Sequence, residues 1–111
     1  MLNYVNEQKD GHYVLKLRGN LDALTVPEVR PAIEDLIAKG GVKVVVDLSD
    51  LTVIDSSGVA LIVSLFKRLR ALGGAIRVAG VNGQPREIFH FLRLDQSLPI
   101  SATVDDALAA G

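Results

Sequence analysis

A chain of 111 residues, 49% of them apolar and 23% charged, holds enough material for one domain around one core. Its formal net charge of −1 argues against a protein that holds nucleic acid by counterion release or a membrane surface through a basic face. The absence of cysteine excludes disulfides, thiol catalysis and thiolate metal sites, and the two histidines, His12 and His90, show no metal-ligand spacing.

In chain order, "LNYV" predicts a short first strand that turns at Asp10-Gly11 into a second, "YVLKLRG". The second alternates apolar and polar residues as a half-buried strand does. Thr25-Val26-Pro27-Glu28 has the form of a capping box, with a helix from about Val26 to Ala38 that stops at Gly40-Gly41. Val29, Ile33, Leu36 and Ile37 share one face of it. Pro31 predicts a bend or an irregular first turn, because it removes a backbone donor and crowds the turn before it. "VKVVVDL", Val42 to Leu48, is almost continuously apolar, the mark of a strand covered on both faces. A second helix follows from about Ser57 to Leu72 and ends at Gly73-Gly74.

"AIRVAGV" reads as another strand, and "PREIFHFLRL" as a third helix with Pro85 near its first turn. Leu98 to Ile100 reads as a short strand. "TVDDALAA" reads as a last helix capped by Thr103 or Asp105. The order β-β-α-β-α-β-α-β-α predicts an α/β fold: a mixed, mostly parallel sheet of four or five strands with about four helices packed on it. No basic-then-apolar leader opens the chain, and no apolar run is long enough to span a bilayer. The expectation is a single cytoplasmic domain over residues 1–111.

Successive helical residues rotate by about 100°, which gathers Ile62, Phe66 and Leu69, with Val59 and Leu65, into a core stripe on the second helix. Ala60, Ser64, Lys67 and Ala71 take the opposite side, with Ser56 on it and Ser57 near its edge. This predicts a flat outer face of small residues, free of bulky charge until Lys67.

The start of that helix, Asp55-Ser56-Ser57-Gly58, has a plain structural reading, since Asp and Ser commonly accept hydrogen bonds from unpaired N–H groups at helix starts. The same unpaired N–H groups and the positive end of the helix dipole also tolerate a phosphate. A phosphoserine adds a charge of about −1.5 to −2. Beside Asp55, and beside Asp22 if the first loop reaches this end of the sheet, such a dianion would repel or refuse a docking partner. A loss of about 3 kcal/mol is already more than a hundredfold in affinity. Catalysis fits less well: a serine nucleophile needs a base, and the G-x-S-x-G elbow is missing. Asp22, Asp47 and Asp55 could cluster to hold Mg²⁺, but Asp47 serves equally as the end of a strand and Asp22 as a loop cap. "VVVDLSD" is also similar to the phosphoacceptor strand of a response-regulator receiver, although the acidic pair expected after the first strand is missing.

Four segments, "LRGNLDALTVPEVR", "VVVDLSDLTVIDSSGVALI", "LRALGGAIRVAGV" and "IFHFLRLDQSLPISATVDDAL", together resemble a STAS domain of the bacterial anti-sigma factor antagonist type over nearly the whole chain. The resemblance implies a non-enzymatic binding module. It would engage an anti-sigma factor, itself a serine kinase with an ATPase-like fold, and so release a sigma factor. It implies that the kinase phosphorylates the serine directly after the aspartate, here Ser56, that the phosphorylated form no longer binds, and that a metal-dependent serine phosphatase restores it. By the same match Asp55 and Ser57 flank the site, and Asp22 holds the acidic position of the first loop. No cofactor is implied. The sequence departs from the family pattern at Asn20, where a glutamate is usual. It departs again at Gly58-Val59-Ala60 for Gly-Leu-Gly, at Pro31, and at "FLRLDQ" in place of a small Thr-Gly pair. The alternative is a STAS subunit of a larger assembly, such as a signalling scaffold or a lipid-transport complex.

Overall fold

The computed structural model describes residues 1–110. Strands β1 (Leu2–Lys9) and β2 (His12–Leu21) form the hairpin, and helix α1 (Val26–Ala38) leads to β3 (Lys43–Ile54). Helix α2 (Ser56–Ala71), β4 (Ala75–Ala79), α3 (Gly83–Phe91), α4 (Leu94–Ser97), β5 (Ile100–Ser101) and α5 (Val104–Ala109) complete the chain. The five strands lie in the order β1-β2-β3-β4-β5, antiparallel between β1 and β2 and parallel elsewhere. This is the predicted mixed, mostly parallel α/β sheet, with a short fifth helix added. The hairpin turns where predicted: Asp10 and Gly11 both take positive φ, 51° and 77°, the requirement of a tight two-residue connection.

Alternation along the strands sorts the core. Leu15, Leu17, Val44, Val46 and Leu48 join Val29 and Ile33 of α1, Ile62 and Leu65 of α2, and Phe89 of α3 in one cluster. Val14, Val45 and Ala79 point to the other face, where α5 covers them with Ala107. The continuous apolar run of β3 is therefore buried from both sides, as expected.

Several boundaries differ from the sequence reading. β3 does not stop at Leu48 but runs to Ile54, because its second half pairs with the tail of β2 after two register shifts, at Lys16/Arg18 and Gly19/Asn20. The third helix breaks: Arg93 adopts a left-handed conformation, φ 58°, and α4 starts afresh. β5 pairs Ile100 and Ser101 with Val78 and Ala79, later than the predicted Leu98–Ile100. The predicted capping box at Thr25 is absent. Thr25 is buried, makes no cap hydrogen bond, and its hydroxyl donates instead to the Asn20 carbonyl, 2.9 Å. Pro31 sits inside α1 and is exposed, and α1 runs through it.

Candidate functional site

β3 delivers Asp55 and Ser56 to the end of the sheet beyond the last residue of β4. There Gln84, on α3, does the work of a missing strand. Its side-chain amide accepts from the Ile54 N–H and donates to the Ile54 carbonyl, 2.9 Å each. The backbone just before the site is thus held on one side by Gln84 and on the other by the Leu21 carbonyl, which accepts from the Asp55 N–H at 3.2 Å.

Asp55 is the N-cap of α2. Its Oδ1 accepts from the Gly58 N–H at 3.0 Å, and its Oδ2 accepts from the Ala23 N–H at 3.1 Å. The second bond ties the β2–α1 loop to the start of α2, so the first loop does reach this end of the sheet. The Gly58 N–H, with those of Ala23 and Ser57, holds the Asp55 carboxyl below its ordinary range, against a smaller opposing effect of burial. Asp22 folds the loop on itself: its Oδ1 accepts from the N–H groups of Leu24 and Thr25 at 3.0 and 3.1 Å. Gly58 has a steric duty. A Cβ there would stand 2.5 Å from the Leu21 carbonyl oxygen and 2.7 Å from Ile54 Cγ1, so only glycine lets α2 lie this close to β2.

Ser56 is the first residue of α2 and is exposed; its hydroxyl has no hydrogen-bond partner among the described residues. Ser57 is half-buried. Ser57, Ala60 and Ser64 line a groove of about 490 Å³ whose other wall is Ala23, Val26, Pro27 and Arg30 of the loop and α1, with Leu61 also contributing. The predicted flat face of α2 is therefore one wall of a groove. The reason is tertiary: α1 and α2 lie side by side on the sheet, clamped by the two-pronged Arg68–Glu34 ion pair. Leu61, outside the predicted stripe, is buried, and Phe66, inside it, is only half-buried.

Of the predicted site residues, Asp22, Asp55 and Ser56 gather around the Ala23 end of the groove, and Ser57, Ala60 and Ser64 form its α2 wall. Lys67 is exposed farther along α2 and does not line it. Asp47 stands apart: it is buried in β3 and accepts from the Ser49 N–H at 3.0 Å. Among the described residues no three His, Cys, Asp or Glu side chains are grouped to hold a metal ion. The sequence reading missed Leu24, which is 85% exposed beside the site, and Arg30. A large apolar residue in a short loop was the one available signal for Leu24; the groove that gives Arg30 its place exists only after folding.

A mostly parallel sheet with an exposed serine at the start of the helix that follows its central strand defines a small α/β domain. The chain belongs to the STAS domain family, whose family model matches residues 3–107. It is 27% identical over 96 residues to the anti-sigma-B factor antagonist of Listeria monocytogenes, covering 86% of this chain and 84% of that protein. The crystal structure of an anti-sigma factor antagonist from Mycobacterium paratuberculosis superposes with a TM-score of 0.90 at 28% identity, over 99% of this chain and 93% of the other. The Bacillus cell fate determinant SpoIIAA, solved in its phosphorylated form, superposes with a TM-score of 0.76 at 26% identity, over 97% and 98%. These relatives are named for a regulatory role and not for a reaction. Among the described residues no helix is long and apolar enough to cross a membrane.

Proposed function

We propose that this chain is an anti-sigma factor antagonist: it binds an anti-sigma factor serine kinase of ATPase-like fold and so frees a sigma factor, until phosphorylation of Ser56 ends the binding. A serine phosphatase returns it to the binding form. The chain acts as one STAS domain over residues 1–111, in the cytoplasm, as a substrate and binding module without a reaction of its own. The docking surface takes in Asp22, Asp55, Ser56, Ser57, Ala60, Ser64 and Lys67.

The observation that carries this reading is a division of labour within Asp55-Ser56-Ser57-Gly58. Asp55 caps the helix and Gly58 permits its close approach, so both have structural duties. The Ser56 hydroxyl has none among the described residues and faces solvent. A helix start of purely structural purpose would not need it. The relatives' names and the phosphorylated form of SpoIIAA support the same reading. Phosphate at Ser56 would sit beside the carboxylates of Asp22 and Asp55 and turn the groove's mouth strongly negative.

The test is phosphorylation by the cognate kinase with ATP, followed by phosphosite mapping and binding measurement. Wild type gains one phosphate on Ser56 and loses binding; Ser56→Ala gains none and keeps it. Equal phosphorylation of the two proteins overturns the site.

A further inference from the structure

The groove between α1 and α2 is lined by a single ionised side chain, that of Arg30. An arginine on a helix finds its natural acid one turn away, and Glu34 stands there. Both Glu34 carboxylate oxygens, however, are taken by Arg68, at 2.7 and 2.9 Å. A two-pronged fork of this kind satisfies the acid in its own plane. Arg30 itself makes no ion pair within 4.0 Å and no side-chain hydrogen bond among the described residues, and acts on Glu34 only through its charge, less than Arg68 does.

The lining advances along both helices, from Ala23 and Ser57 at the mouth, past Ala60, to Arg30 and Ser64. Asp22 and Asp55 put negative charge at the mouth, and Arg30, about one turn or about 6 Å into α1, puts positive charge farther along. Between them the walls are uncharged. Such a strip repels an occupant that is basic along its whole length. It matches one with a base at one end and an acid farther along.

We propose that the groove seats a carboxylate-bearing segment of the anti-sigma factor, and that Arg30 binds this carboxylate and selects the partner. The proposal rests on the antagonist reading above. Arg30 is exposed and makes no ion pair, so its replacement leaves the domain folded.

The test is titration of the purified anti-sigma factor into wild type, Arg30→Gln and Arg30→Glu, with circular dichroism confirming that each is folded. Arg30→Gln weakens binding about tenfold and Arg30→Glu about a hundredfold, the scale of a charge-assisted hydrogen bond and of its replacement by repulsion. Changing one surface acid of the partner to lysine restores binding to Arg30→Glu. If Arg30→Glu binds within about twofold of wild type while phosphorylation of Ser56 abolishes binding, the antagonist reading stands and the role of Arg30 falls. If wild type does not bind the anti-sigma factor at all, both fall.

Discussion

Asp55 and Gly58 show how much of the site is set by single atoms. Gly58→Ala gains at most about 1 kcal/mol of helix propensity. Its new Cβ would meet the Leu21 carbonyl oxygen at 2.5 Å, and backbone does not yield as a flexible side chain does. Overpacking of this kind costs about 1–3 kcal/mol, so the urea midpoint should fall, and a midpoint equal to that of wild type would refute the close approach. Asp55 acts through charge as well as geometry. Its folded carboxyl titrates below its ordinary value, chiefly because the Gly58 N–H bonds to the ionised form. A depressed folded value contributes stability above the unfolded one, near about pH 4, and that contribution disappears as pH falls through the folded value. Asp55→Asn should therefore be less stable than wild type at pH 7, and the two should converge on acidification below pH ~4. A gap that persists into acid would assign the effect to geometry alone.

At the scale of elements, the sequence is legible where a pattern is local and silent where a partner is remote. The hairpin turn, the two-sided burial of β3 and the cap of α5 at Thr103 follow from neighbouring residues. The extension of β3 to Ile54 does not, because Ser49 and Asp50 look like a loop until the tail of β2 pairs with Asp50 and the residues after it. Thr25 and Glu28 have the spacing of a capping box, yet the chain buries Thr25 and uses its hydroxyl to brace the loop through Asn20. The motif at Ser56 could be read in the sequence. The groove beside it could not, since no local pattern sets α1 against α2. The break between α3 and α4 is a further case. Arg93 is exposed and holds φ 58°, a conformation that costs a non-glycine residue about 1–2 kcal/mol. Glycine would avoid that strain but loses about 0.4–1 kcal/mol through its freer unfolded chain. Arg93→Gly should thus raise stability by about 0.5–1 kcal/mol. Thermal melts would show this as a higher Tm, and a lower one would mean that the arginine side chain matters more to this corner than its backbone strain.

For the whole molecule the question is whether phosphate at Ser56 would act on shape or on surface charge. The Cα radius of gyration is 12.5 Å, close to the ~13 Å typical of a compact domain of this length. Ser56 projects from a helix whose start is already fixed by Asp55, by the Leu21 carbonyl and, through Ile54, by Gln84. Nothing in the core would have to move for the hydroxyl to be esterified. Energetically the phosphate gains about 0.3–1 kcal/mol from the positive end of the helix dipole, and repulsion from the half-buried Asp22 and Asp55 carboxylates works against it. The two oppose each other in the folding balance, but both fall on a partner as unfavourable charge and desolvation. Phosphorylated and unmodified protein should therefore show the same radius of gyration by X-ray scattering and Tm values within a few degrees, while affinity for the anti-sigma factor falls by at least about a hundredfold. Added salt should bring the two Tm values still closer, because surface charges are screened within about 10 Å at 0.1 M. An expanded phosphoprotein, or one whose Tm drops far, would mean that the switch works by loosening the domain and not by spoiling a docking face.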